Sequence, residues 1–187
     1  MNSTTSSNAV SCILNAAVFA AEKHRSCRRK DSDATPYINH PLRVAQILTE
    51  SEIDDTDVLA AALLHDTIED TKTTYEELVE RFGPAVASLV AEVTDDKSLE
   101  KRERKDLQVQ SAPHKSDGAK LIKLADKASN LEDLIDHPPA WPAERIAEYR
   151  RWAGLVADGC RGVNVALDHR IAKLCGIGGE GKTYGRS

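Results

Sequence analysis

Val58-Leu59-Ala60-Ala61-Ala62-Leu63-Leu64 is apolar at every position, and His65-Asp66-Thr67-Ile68-Glu69-Asp70 follows it directly. A helix that is apolar nearly all round is a buried helix. The rest of the chain must therefore enclose this segment and also satisfy the polar groups at its end. Unpaired carboxylates are costly to bury, so these acids need donors, cations or a metal ion. Read as one helix at about 100° per residue, His65, Asp66, Glu69 and Asp70 fall within an arc of roughly 140° on one side. Two readings stand at this point: four ligand or acid–base groups sharing one space, or a helix end that enters solvent with ordinary surface acids.

Composition narrows the fold. The chain has 187 residues, enough for one domain with a full core. Alanine and leucine dominate, aromatic residues are 4% and β-branched runs are few, which predicts an all-α domain. The formal net charge is -5, the reverse of the basic surplus of a nucleic-acid binder, so no nucleic-acid partner is expected. A small anionic substrate is compatible with that charge if a local basic patch receives it. Cys12, Cys27, Cys160 and Cys175 form no CxxC pair and no zinc-knuckle spacing, and reduced thiols in a cytoplasmic protein are the simple reading. The first eight residues lack the basic and apolar regions of a secretory signal. No stretch approaches the roughly 20 apolar residues of a membrane span, so no membrane partner is expected.

Along the chain, residues 1–8 read as a flexible N-terminus, 9–175 as a single domain and 176–187 as a flexible, glycine-rich tail. Val10, Ile13, Leu14, Ala17, Val18 and Ala21 give a first helix to about Arg25. The basic run Lys23, His24, Arg25, Arg28, Arg29, Lys30 is either a solvated helix end or a cationic patch. Pro41 predicts a helix over Leu42 to Leu48, with His40 at its entrance as a capping or packing residue unless His65 and Asp66 lie opposite. Thr74 with Glu77 has the spacing of a capping box, and Gly83-Pro84 breaks the helix that follows. The mixed charges of residues 100–110 read as a solvated helical face. Asp126 and, one turn later, Asn130 are set into an apolar helix, where Lys123 or Lys127 are the available cations for the aspartate. After the proline-rich loop 138–142, one long helix is expected from about Ala143 past Leu174, weakened by Gly154, Gly159 and Gly162.

His40, His65, Asp66 and Asp126 are the groups that could converge. Two imidazoles and two carboxylates suit a divalent ion such as Mn, Fe or Zn, and the absence of cysteine excludes a thiolate centre. Glu69 and Asp70 beside them could orient or deprotonate a water molecule.

The ordered stretches Pro36-Tyr37-Ile38-Asn39-His40-Pro41, Ala62 through Asp70, Val93-Thr94-Asp95-Asp96 and Lys123-Leu124-Ala125-Asp126-Lys127 with Asn130-Leu131 resemble the HD-domain hydrolases of the RelA/SpoT superfamily. The likeness is greatest to the small, single-domain alarmone hydrolases of the metazoan SpoT-homologue type. It runs from about Ala16 to Ala157. The resemblance implies a helical HD-domain bundle and one Mn²⁺ held by His40, His65, Asp66 and Asp126. It implies hydrolysis of the 3′-diphosphate of (p)ppGpp to GDP or GTP and pyrophosphate. Glu69 and Asp70 carry over as the catalytic acidic pair, and Arg29, Lys30, Asn130, Arg145 and Tyr149 as nucleotide contacts. No nucleotidyltransferase segment follows, so a hydrolase without synthetase activity is implied. NADPH is an alternative substrate for this short type, and a non-catalytic nucleotide sensor is a further alternative. The chain departs from the pattern at Ala128-Ser129, where relatives carry a bulkier apolar residue and a histidine or tyrosine, and at Glu132, where a basic residue is common. The first departure is expected to enlarge the base pocket and the second to remove a positive charge near it.

Overall fold

A computed structural model describes residues 3–176, and among them every regular element is helical apart from an isolated bridge between Arg28 and Pro36. The helices are α1 (Ser3–Lys23), α2 (Asn39–Glu50), α3 (Thr56–Leu64), α4 (Thr67–Asp70), α5 (Tyr75–Val93), α6 (Lys101–Ser111), α7 (Asp117–Asp136), α8 (Ala143–Cys160) and α9 (Val165–Leu174), with a 3₁₀ turn at Ala112–His114. None is long and apolar enough to cross a membrane. The fold is all-α, as composition required. The backbone is helical from Ser3, inside the stretch expected to be flexible, and residues 177–187 of the expected tail lie outside the described residues.

The apolar segment lies at the centre. Val58 through Leu64 are all buried, and α3 packs against α1, α2, α5 and α7. Complete burial of a leucine such as Leu64 contributes about 1.5–3 kcal/mol. Asp55 caps the start of α3, its carboxylate accepting from the amides of Asp57 and Val58. The expected single helix through Asp70 is in fact two. Helix α3 stops at Leu64, and Asp66, at φ −99° and ψ 0°, turns the chain into α4. That region of backbone space is sparsely used and is common at functional residues.

Local chemistry explains the other boundaries. The Thr74 hydroxyl accepts from the Glu77 amide at the start of α5, but Glu77 does not complete the capping box; its carboxylate binds Lys23 at 2.8 Å. Gly83 takes φ +86°, open to glycine, and kinks α5 ahead of Pro84. The long C-terminal helix is broken between Cys160 and Val165, where Gly162 has φ +93° and Asn164 caps α9 through the Leu167 amide. Helix α7 touches α2, α3, α5, α8 and α9, and so carries its polar residues into the middle of the bundle.

Candidate metal centre and adjoining cleft

Three separate elements bring four side chains together. His40 comes from the first turn of α2, where Pro41 costs no hydrogen bond. His65 and Asp66 come from the α3–α4 turn, and Asp126 from the middle of α7. His40 Nε2 lies 3.1 Å from Asp126 Oδ1 and 3.9 Å from Asp66 Oδ2. His65 Nε2 lies 2.9 Å from Asp66 Oδ2 and 3.9 Å from Asp126 Oδ1. One ligand atom each from His40, His65 and Asp126 falls within 4.8 Å of the others, the geometry of a group able to hold a metal ion.

Each member is held from outside. His65 Nδ1 faces the Ala62 carbonyl at 2.8 Å, so that nitrogen donates and Nε2 faces the shared space. Although near Asp66, the buried Nε2 is out of line for a hydrogen bond and has no hydrogen-bond partner. His40 Nδ1 faces Ser129 Oγ at 3.0 Å. The Tyr37 hydroxyl donates to Asp66 Oδ2 at 2.6 Å. Asp126 accepts from Lys127 Nζ at 2.8 Å and from Asn130 Nδ2 at 2.6 Å. Of the two lysines available from sequence, Lys127 is therefore the partner of Asp126; Lys123 sits 3.8 Å from Asp95 instead.

The electrostatics follow from this packing. Burial opposes charge on His65, but the Asp66 carboxylate outweighs it and brings the imidazole up to about 9. Burial alone would raise Asp66 and Asp126. His65 holds the first, and Lys127 with His40 the second, well below the usual carboxylate range. Burial pulls His40 down despite Asp126. Glu69 is pushed up by burial and by the nearby Asp66 and Asp95 carboxylates.

A cleft of about 620 Å³ adjoins the cluster. Tyr37 and Asn130 line it and also bond Asp66 and Asp126, so they join cleft to cluster. Arg28, Arg29, Lys30, Lys97 and Arg104 supply its cations, and Glu69 and Asp70 lie on its wall. Asp70 pairs with Lys97; Glu69 accepts from the Asp95 amide at 3.3 Å and lies 3.9 Å from Arg104. The 23–30 run is thus divided in use. Lys23 pairs with Glu77, His24 is buried against the Tyr37 ring, and Arg29 donates to Asn130 Oδ1 at 2.9 Å. Tyr149 lines the same cleft, whereas Arg145 lines an adjoining one, stacked 3.9 Å from the Trp141 ring centroid.

Sequence reasoning assigned no role to Tyr37, although it lies in a quoted motif three residues before His40. The solvated face expected over residues 100–110 is not solvated throughout: the inner side of α6 turns Arg104 and Gln108 inward, and Gln108 bonds Asp95. Mixed charge along a helix does not reveal which side faces a cleft. The expected effects of the departures are also corrected. Ala128 is in the core, Ser129 contacts His40, and neither lines the cleft. Glu132 faces the other way, into an ion-pair cluster with Arg43 and Arg170 that also holds Glu50.

Known proteins share this arrangement of elements. An HD-domain family model matches residues 16–155. A zebrafish (Danio rerio) protein named guanosine-3′,5′-bis(diphosphate) 3′-pyrophosphohydrolase MESH1 is 55% identical over 164 residues, which is 87% of this chain and 91% of that protein. The human (Homo sapiens) protein of the same name is 56% identical over 164 residues, 87% of this chain and 92% of its own. A solved structure of a metazoan SpoT orthologue, described as hydrolysing ppGpp, superimposes with a TM-score of 0.86 at 48% identity, covering 90% of this chain and 96% of that one. Matched in sequence and in three dimensions over most of its length, the chain belongs to the HD-domain family, in the branch of the metazoan SpoT homologues related to RelA/SpoT.

Proposed function

We propose that this chain is a Mn²⁺-dependent (p)ppGpp 3′-pyrophosphohydrolase that uses His40, His65, Asp66 and Asp126 as metal ligands. The observation that carries the reading is His65 Nε2, a buried ring nitrogen with no hydrogen-bond partner, facing a second imidazole and two carboxylates. Two nitrogen and two carboxylate donors fit a borderline-hard divalent ion. The outer bonds from Ala62, Ser129, Tyr37 and Lys127 are the support such ligands require. When bound, the ion would polarise a phosphoryl oxygen and lower the pKa of water.

The chain's own residues supply the rest. Arg28, Arg29, Lys30, Lys97 and Arg104 gather a polyanion into the cleft of an otherwise acidic protein. Asn130 and Tyr149 lie where a nucleoside contacts the wall, and Arg145 receives the far end of a longer ligand. Glu69, with its proton affinity raised, accepts a proton from the attacking water, while Asp70 fixes Lys97 near the leaving phosphates. Water forms a bond to phosphorus as the bond to the ribose 3′ oxygen breaks, and the proton taken up by Glu69 passes to that oxygen, giving the 3′ hydroxyl and pyrophosphate. The test is turnover of ppGpp and pppGpp with Mn²⁺ and other divalent ions. Pyrophosphate release that requires Mn²⁺ and disappears in Asp66→Ala supports the reading; full metal occupancy with no release refutes it.

A second reading keeps the centre but takes NADPH, releasing orthophosphate. It is favoured by the adjoining cleft of about 780 Å³, which shares Lys30, Glu69, Arg104, Trp141 and Tyr149 with the first and extends the cationic wall. The product, orthophosphate or pyrophosphate, separates the two.

A further inference from the structure

Asp126, Ser129 and Glu132 stand three residues apart along α7, so they form one row on the same side of the helix. His40 and Arg43 make the matching row on α2. The two rows meet in register. His40 lies 3.1 Å from Asp126 and 3.0 Å from Ser129; one turn on, Arg43 donates to Glu132 Oε2 through Nε at 2.9 Å and Nη2 at 2.8 Å. His40 and Ser129 are separated by 89 residues in sequence, and so are Arg43 and Glu132. The ion pair is thus the next rung of the interface that brings His40 and Asp126 together. Arg170 of α9 closes this rung into a ring. Its Nε donates to Glu132 Oε1 at 2.7 Å and its Nη1 to Glu50 Oε2 at 2.8 Å, while Arg43 Nη1 donates to Glu50 Oε1 at 2.8 Å. Two cations balance two anions, and both oxygens of Glu132 are engaged.

We infer that Glu132 is a positioning residue for the metal centre: by tying Arg43 of α2 and Arg170 of α9 to α7, it fixes the gap across which His40 and Asp126 receive a divalent cation. This rests on the metal-centre reading given above. Metal–ligand distances hold to within about 0.2 Å, so short side chains cannot follow if their helices part. One half-exposed ion pair would contribute little to holding that gap. A closed ring does more, because each arginine fork is held by two carboxylates and the cost of ordering the side chains is shared. The departure of this chain at Glu132, where relatives commonly carry a basic residue, therefore supplies the anion that both arginines bind.

The experiment uses the full chain as wild type, Glu132→Gln, Glu132→Arg, the double variant Arg43→Glu with Glu132→Arg, and Gly159→Ala as a control on α8. Mn²⁺ affinity is read by competition with a fluorescent chelator, and stability by urea unfolding without metal. The two single changes at Glu132 are expected to weaken Mn²⁺ binding by about 2- to 30-fold, the range for a residue that couples to a site without touching it, with arginine the more severe. The double variant restores an opposite-charge rung between α2 and α7 but leaves Arg170 facing a cation, so it should regain Mn²⁺ affinity over Glu132→Arg while remaining less stable than wild type. Gly159→Ala, destabilised elsewhere, should bind Mn²⁺ like wild type. Equal Mn²⁺ affinity in wild type and Glu132→Gln overturns this inference and leaves the metal centre standing, even if Glu132→Arg fails to fold. A loss in Gly159→Ala as large as in Glu132→Gln overturns it as well, since affinity would then follow stability alone. A wild-type chain that does not bind Mn²⁺ overturns both readings.

Discussion

The Tyr37 hydroxyl donates to Oδ2 of Asp66 at 2.6 Å, tying the loop before α2 to the turn after α3. Burial and the Asp66 charge hold the phenol protonated far above its ordinary range, so it acts as a fixed donor. Its ring is packed against His24, at 4.8 Å between centroids. Tyr37→Phe keeps that packing and removes only the donor. A hydrogen bond to a charged group contributes about 1.5–3 kcal/mol, and losing such a support is expected to weaken Mn²⁺ binding about 10-fold or more. Chelator competition measures this; unchanged affinity would show that Asp66 needs no anchor.

Lys127 and Asp126 form a buried ion pair at 2.8 Å. Removing one partner of such a pair leaves the other charge uncompensated and costs about 3–5 kcal/mol. Lys127→Met should therefore lower the unfolding free energy of the metal-free protein by about that amount. Mn²⁺ should restore part of the loss, because a cation at the centre favours the same carboxylate. Urea unfolding with and without Mn²⁺ checks both statements. A deficit of the same size in the two conditions would contradict the second.

The ion-pair cluster of Glu132, Arg43, Arg170 and Glu50 joins α2, α7 and α9. Burial would raise the Glu50 carboxyl, but hydrogen bonds from Arg170 and Arg43 more than offset it and hold it below its usual value of 4.5. A carboxyl depressed in the folded state adds stability above its unfolded pKa and loses it as pH falls through the folded one. The stability difference between wild type and Arg170→Met should therefore be flat near neutrality and shrink below about pH 4.5. Chemical unfolding across pH 3–7 reads the difference; a gap that widened on acidification would assign the cluster no such role.

Gly159 lets α8 approach the 3₁₀ turn at Ala112–His114. A Cβ there would stand 2.7 Å from Ala112 Cβ and 3.0 Å from Pro113 Cδ. Neither neighbour is a flexible side-chain tip, so the helices must separate. Gly159→Ala is expected to cost about 1–3 kcal/mol, the range for overpacking, despite alanine's better helix propensity. Thermal and urea unfolding give the sign, and a stabilised variant would mean that α8 has slack.

Much of this was legible in the residues. The unbroken apolar run of Val58–Leu64 required a central helix, and the acids after it required partners. What periodicity missed was the turn at Asp66, because Thr67-Ile68-Glu69-Asp70 has ordinary helical composition and the break serves tertiary contacts. The Asp126 partner remained open between Lys123 and Lys127, since both lie near it on the helix and only the placement of Asp95 distinguishes them. The expectation that Glu132 takes a positive charge away from the base pocket fails because closeness in sequence to Asn130 says little about direction; two residues along a helix turn a side chain to the opposite side. Ser129 stands out in sequence only as a departure from the family pattern; its contact with His40 is not legible there, as a buried serine on a helix usually bonds its own backbone.

The turn between α3 and α4 also sets how the cluster deforms. His65 and Asp66 are joined by a single peptide unit, so their spacing is insulated from any sway between helices. His40 and Asp126 arrive on α2 and α7, and their approach to that pair depends on how tightly the bundle is drawn together. Half of the cluster travels as one body, and the other half registers the breathing of the domain around it.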